Sequence, residues 1–352
     1  MKKMLALLLA LVMVLSLAAC ASSQPAATDA AASTETAETT ETTEAAEPAA
    51  EESAEAPAES GKTYTVGVCQ LVQHEALDAA TQGFIDALKE ELGDAVTVDV
   101  QNASGDSVNC GTIVNSFVSK GVDLIMANAT PALTAAVSAT ADIPILGTSI
   151  TAYGVALDID DFNGTVGGNI SGTSDLADLQ AQAQMILDWF PETKTVGLLF
   201  CSAEPNSRYQ IDEVRKALEA QGVTCEEFAF TDSNDVSSVT QKAADFSDVV
   251  YIPTDNTAAS NTEAIANVLI PAGVPAICGE EGLCRGCGVA TLSISYYDLG
   301  VTTGKMAAKI LKGEADISTM PVEYTDATPK YNASVCEQLG ITPLDGYEAI
   351  EG

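Results

Sequence analysis

From residue 64 onward, short runs of apolar and β-branched residues alternate with longer stretches whose apolar positions recur every three or four residues. The runs at 64–70, 97–103, 123–128 and 143–149 are bounded by turn-forming residues and predict buried strands. Between them, 76–91, 108–120 and 131–140 carry helical periodicity. The alternation then restarts, with strands at 195–201, 226–230, 248–254 and 275–279 and helices at 177–190, 206–221, 236–245 and 257–269. Strands joined through helices in this way imply parallel sheets with right-handed crossovers.

An internal echo points to two equivalent lobes. "VDLIMANATPALTAA" followed by "DIPILGTS" matches "SDVVYIPTDNTAAS" followed by "GVPAICGEE" in order and spacing. Each is a strand, a polar corner, a helix, an x-Pro turn and a strand. After the second series the chain adds a strand at 289–295, a helix at 296–313 that ends on glycine, and a strand in "PVEYTD". These late elements are expected to cross back into the first lobe and return, which with the passage near 169–173 makes three connections between lobes.

The two ends of the composition differ. Met1-Lys2-Lys3, an apolar run over 4–17 and Ala18-Ala19-Cys20 have the form of an export signal rather than a membrane span. The ending "LAAC" resembles a bacterial lipobox, which implies that Cys20 carries a lipid and holds the protein at a membrane surface. Residues 21–62 are mostly Ala, Thr, Glu, Pro and Ser, with no aromatic residue and no Lys or Arg before Lys62. Such a segment buries too little to offset its ordering entropy, so it is expected to be a disordered tether reaching roughly 35 Å. The net charge of −35 makes nucleic acid and anionic membrane surfaces poor partners.

Several ordered motifs together resemble the substrate-binding lipoproteins of ABC transporters: "LVQHEALDAATQGFIDAL", "IMANATPALTAA", "SGTSD", "YIPTDNT", "GEEG" and "ATLSISYYDLGVTTGKMAAKILKG". More narrowly they resemble the family whose members bind tryptophan and other aromatic amino acids. The resemblance implies the type I periplasmic-binding-protein architecture: an α/β chain with two Rossmann-like lobes, parallel sheets and three interlobe crossovers. The lobes are expected at 63–170 with 295–322, and at 171–294 with 323–352. It further implies a monomer that captures an aromatic amino acid such as tryptophan between its lobes, closes, and delivers it to permease subunits. Branched-chain amino acids, purine derivatives and sugars are the alternative ligands, and a sensor would read the same cleft.

In that architecture strand carboxyl ends and helix N-termini face the cleft, where backbone N–H groups favour a carboxylate and acidic side chains an ammonium. The polar corners are Gln70 to His74, Asn128 to Thr130, Ser202 to Ser207 and Thr254 to Thr257, with Ser149 and Glu280 after the next strands. The candidate contacts are therefore Gln70, His74, Thr130, Ser149, Ser202, Glu204, Asn206, Asp255, Asn256 and Glu280. Thr130 and Ser149 are expected to receive an α-carboxylate, and Asp255 with Glu204 or Glu280 an α-ammonium. Asp and Thr here also suit plain N-caps, worth about 1 kcal/mol each. His74 is included because its corner resembles the family's H-x-A-L-D pattern. Tyr153, Phe162, Tyr209, Tyr296 and Tyr297 are candidates for an aromatic wall, and Trp189 is expected to pack structurally.

Other chemistries find less support. Cys278, Cys284 and Cys287 give three nearby sulfurs without the fourth ligand of a structural zinc site, so no metal and no cofactor is expected. A Cys284–Cys287 or Cys278–Cys284 disulfide and free thiols stay open. There is no G-x-S-x-G elbow and no P-loop, and no nucleophile has an oriented base, so the chain does not read as an enzyme.

Overall fold

The computed structural model describes residues 62–351; the expected export signal, Cys20 and nearly all of the tether lie outside the described residues. The first series of elements is β1 (Tyr64–Gln70), α1 (Glu75–Leu92), β2 (Val96–Asn102), α2 (Ser107–Lys120), β3 (Leu124–Asn128), α3 (Thr130–Ala139), β4 (Ile145–Ile150), α4 (Tyr153–Ala156) and β5 (Ile170–Ser174). The second begins with α5 (Leu179–Trp189), β6 (Thr195–Cys201), α6 (Pro205–Glu219), β7 (Thr224–Phe230) and α7 (Val236–Phe246). It continues with β8 (Val249–Ile252), α8 (Asn256–Ala259), α9 (Thr262–Ala272), β9 (Ala276–Cys278), α10 (Glu281–Cys287) and β10 (Ala290–Ser293). Last come α11 (Tyr296–Lys312), β11 (Glu323–Tyr324), β12 (Thr328–Tyr331), α12 (Ala333–Leu339) and β13 (Glu348–Ala349).

Among the described residues the strands form two sheets, ordered β11-β5-β4-β3-β1-β2 and β13-β12-β10-β9-β8-β6-β7. Apart from the late strands, the two share one winding order, and those strands pair in parallel. The echo in the sequence is thus a repeat of topology. Because helices cover both faces, the central strands are buried throughout: every residue of β3 and β8 is buried. On the first sheet, Val114, Phe117 and Leu133 of α2 and α3 pack one face, while Phe84, Leu88, Met306 and Leu311 of α1 and α11 pack the other.

α1 and α11 touch at backbone distance. A Cβ placed on Gly300 would run into the carbonyl oxygen of Ala80, and one on Gly304 would meet Phe84 and Ala87. Only glycine permits that approach. A helix encoded after most of the second lobe therefore completes the helical layer of the first.

The late strands move both expected lobe boundaries. β5 pairs with β4 up to Ser174, and β11 adds to β5 through Glu323 and Tyr324, so divisions at 170 and 322 fall too early. The chain passes between lobes after Ser174, after β10 and after Tyr324. The single helix expected at 257–269 is two, α8 and α9, because the Asn261 side chain donates to the Thr257 carbonyl and interrupts the backbone ladder. Among the described residues no helix is long and apolar enough to cross a membrane.

Candidate functional site

Because both sheets wind alike, both aim their carboxyl-terminal loops at one cleft. A nearly closed cavity of about 10 Å³ lies there. The first lobe contributes His74 and Leu77 from the start of α1, with Ser149 and Thr151 from the end of β4. The second contributes Asn206 of α6, Thr254, Asp255 and Asn256 around the β8–α8 corner, Ala259 and Glu280. Asp175, just after β5, and Tyr296, at the start of α11, form the part nearest the crossovers, and the Tyr296 hydroxyl donates to Asp175 Oδ2 at 2.9 Å. The lobes meet across the cleft: His74 Nε2 lies 3.2 Å from Asn256 Oδ1, and Arg285 of α10 pairs with Glu75 of α1.

Three buried polar atoms lining this cavity have no hydrogen-bond partner: Ser149 Oγ, Asp175 Oδ1 and Asn206 Oδ1. Their residues are 6%, 4% and 4% exposed. Buried polar groups are almost always satisfied, so three orphans around one cavity mark a place built for a polar guest. Backbone conformation points the same way. Ala129 and Ser149, at the ends of neighbouring strands β3 and β4, have φ of 90° and 56°, which L residues adopt only when the surroundings impose it.

The acidic groups of the cavity differ in how they are held. Asp255 Oδ1 caps α8 through the Ala258 N–H at 2.8 Å, while Oδ2 accepts from the Cys201 N–H at 2.6 Å and the Ser207 hydroxyl at 2.8 Å. Glu280 caps α10 through the N–H groups of Gly282 and Leu283, both at 2.6 Å. Burial pushes Asp255 up to about 8, with the nearby Glu204 charge adding to it, and pushes Glu280 up to about 7. Burial also raises Asp175, against hydrogen bonds from Tyr296 and Thr151. For His74 burial lowers the pKa, so the ring is neutral and its Nε2–H donates to Asn256.

Of the residues expected from sequence, the structure brings His74, Ser149, Asn206, Asp255, Asn256 and Glu280 to the cavity. Gln70 does not reach it; its amide is spent on Val72 O, Asp78 and Thr81 inside the first lobe. Thr130 is buried at the start of α3 and lies outside the lining. Ser202 is exposed and donates to the Phe230 carbonyl. Glu204 sits behind Asn256, its two oxygens occupied by the N–H groups and side chains of Asn256 and Thr257. Asp175 and Thr151 were not among the expected contacts. The signal for Asp175 lies in "SGTSD", where a polar strand ends on a carboxylate.

The aromatic wall reduces to Tyr296. Tyr153 is buried under the first sheet, with its hydroxyl on the Gly147 and Thr173 carbonyls and Phe162 stacked on its ring at 6.2 Å. Tyr297 is exposed and donates to Asp86, and Tyr209 is half-buried on α6 away from the lining. Trp189 packs in the second lobe against Phe190, Tyr331 and Tyr347, as the sequence suggests. Among the described residues the cysteines are free thiols, and Cys278, Cys284 and Cys287 sit in an apolar cluster whose burial raises Cys278 and Cys284.

Residues 65–346 match the model of a family described as ABC transporter substrate binding protein. The chain is 32% identical over 276 residues to a tyrosine-binding protein of Clostridioides difficile (strain R20291), spanning 77% of this chain and 79% of that protein. It is similar to an ABC domain in complex with L-Trp from Streptococcus pneumoniae, with 32% identity and a TM-score of 0.77 over 82% of this chain and 100% of that one. A ligand-free, open substrate-binding protein with adhesive properties from Clostridium difficile is also 32% identical, over 82% of this chain and 99% of that one, with a TM-score of 0.63. At equal identity the overlap is greater with the complexed chain than with the open one. That agrees with the contacts His74 and Arg285 make across the cleft.

Proposed function

The chain belongs to the ABC transporter substrate-binding protein family, and from that we infer that it captures an aromatic α-amino acid in the cavity between its lobes and presents it to a permease. The observation that carries this reading is the trio of unpartnered atoms, Ser149 Oγ, Asp175 Oδ1 and Asn206 Oδ1, converging from both lobes on one cleft. Asp175 and Asn206 offer acceptors to an ammonium, and Ser149 offers a hydroxyl to a carboxylate. The relatives named for tyrosine and crystallised with L-Trp favour an aromatic side chain. Titration calorimetry with L-tyrosine, L-tryptophan, L-leucine, nucleosides and sugars tests the reading. Binding of L-tyrosine or L-tryptophan at least about tenfold tighter than L-leucine, a difference of about 1.4 kcal/mol, is expected. Tighter binding of a sugar or nucleoside defeats it.

The open lobes sample solvent, the guest bridges them, and its preference for the closed form drives closure. Asp175 and Tyr296 stand on two of the crossovers, so a ligand held there acts directly on the segments that bend. The protein acts as a monomer at the extracytoplasmic face of the membrane, with Cys20 as the lipid-bearing residue and 21–62 as the tether. Cys20→Ser is expected to move the protein from the membrane to the soluble fraction. A variant that sediments with membranes as before removes the anchor from the account.

A further inference from the structure

The cavity is unbalanced in charge. Among its lining residues are the carboxyl groups of Asp175, Asp255 and Glu280, but no Lys and no Arg. Its one histidine is neutral and committed to Asn256. Arg285, on the neighbouring helix α10, already pairs with Glu75 and Glu281 and lies outside the lining.

The three carboxyl groups are not equivalent. Asp255 accepts from three donors and Glu280 from two backbone N–H groups, so the oxygens of both are already occupied within the protein. Asp175 has the Tyr296 hydroxyl on Oδ2, with Thr151 beside the carboxyl group, and no hydrogen bond on Oδ1. Asn206 adds a second bare acceptor, since its Nδ2 is already donated to Glu204, Ser207 and Thr254. Two empty acceptors, one on a carboxyl group, call for a cationic donor with several N–H bonds. The complementary half is weak. A guest carboxylate finds one free hydroxyl, Ser149, and no side-chain cation. Desolvating a carboxylate without a counter-charge is unfavourable, whereas an ammonium meets a carboxylate ready to pair.

We propose that the cavity recognises its guest chiefly by the ammonium, so that it takes aromatic primary amines lacking the α-carboxylate as well as the parent amino acids. The inference rests on the amino-acid reading of the same cavity but makes a separate demand. The carboxylate is dispensable and the ammonium is not.

Titration calorimetry on the unaltered protein with L-tyrosine, tyramine, L-tryptophan, tryptamine and 3-(4-hydroxyphenyl)propionate separates the two. Tyramine and tryptamine are expected within about tenfold of the corresponding amino acids, and the propionate, which keeps only the carboxylate, is expected not to bind. Asp175→Asn, nearly isosteric, is expected to weaken amine and amino acid by the same factor of about 10–100, the scale of one charge-assisted hydrogen bond. Amino acids bound and amines rejected overturns this inference and leaves the amino-acid reading standing. Binding of the propionate in preference to tyramine overturns it as well. If neither amino acids nor amines bind, the amino-acid reading falls first and this inference with it.

Discussion

Between about pH 5 and pH 8 the affinity for an ammonium-bearing ligand rises while the stability of the unliganded protein falls. Both follow from carboxyl groups whose pKa burial raises into this window, Glu280 to about 7 and Asp255 to about 8. In the unfolded chain these groups lose their protons near pH 4. Across the window between, the native state therefore binds more protons than the unfolded state, and stability declines as pH rises. His74 works the other way below about pH 6.5, because the unfolded ring takes a proton that the buried ring refuses. Two acids against one imidazole leave the net slope with the acids. Below about pH 4 the slope reverses, as Asp99, held down by Lys120, and Asp248, held down by backbone N–H groups of Lys194 and Thr195, become protonated and their contribution is lost.

A bound ammonium favours the ionised carboxylates and so displaces protons. Each proton displaced steepens the affinity by up to tenfold per pH unit, which gives about 100-fold over two units for a single group. Calorimetry across the window in buffers of different ionisation enthalpy counts those protons directly, and melting curves without ligand give the opposing slope. An affinity independent of pH, or a melting temperature that climbs from pH 5 to 8, contradicts the account.

Gly300→Ala is expected to destabilise the protein by about 2–3 kcal/mol and to lower the melting temperature by about 3–5 °C. A methyl group at 300 collides with the Ala80 carbonyl and stands 2.9 Å from Ala80 Cα, so the obstacle is helix backbone rather than a movable side chain. The helices must separate, and the layer of Phe84, Leu88 and Met306 beneath them loosens. Because α11 begins at Tyr296, the displacement also reaches the cavity, and ligand affinity falls with stability. Gly111→Ala in α2, with nothing within 4 Å of its Cβ, is the control and gains up to about 1 kcal/mol of helix propensity. Equal melting temperatures for the two variants remove the close-packing argument.

What the sequence reveals depends on whether a feature is local. β1, β3 and β6 are continuous apolar runs, and their bounds follow from pattern alone. β5, "ISGTS", hides because it is polar and small, and it is ordered by tertiary contacts, such as Ser171 Oγ on the Met320 and Pro321 carbonyls. β11 and β13 have two residues each and carry no period to detect. The polar corners were legible as corners, but their side chains had two uses. Gln70 and Glu204 tie together their own surroundings, while Asn206 keeps one atom for the cavity. Only the relative placement of both lobes separates these cases. Asp255 does both, capping α8 while facing the cavity. Asp175 escapes pattern reading because its position depends on where the chain leaves the first sheet.

The late arrival of α11 has a further consequence for the order in which the chain is born. A polypeptide emerging from its N-terminus presents α1, with Phe84 and Leu88 uncovered, for more than two hundred residues before Met306 and Leu311 appear. The first lobe's helical layer cannot close until most of the second lobe has been made, so the nascent chain stays unfinished along most of its length.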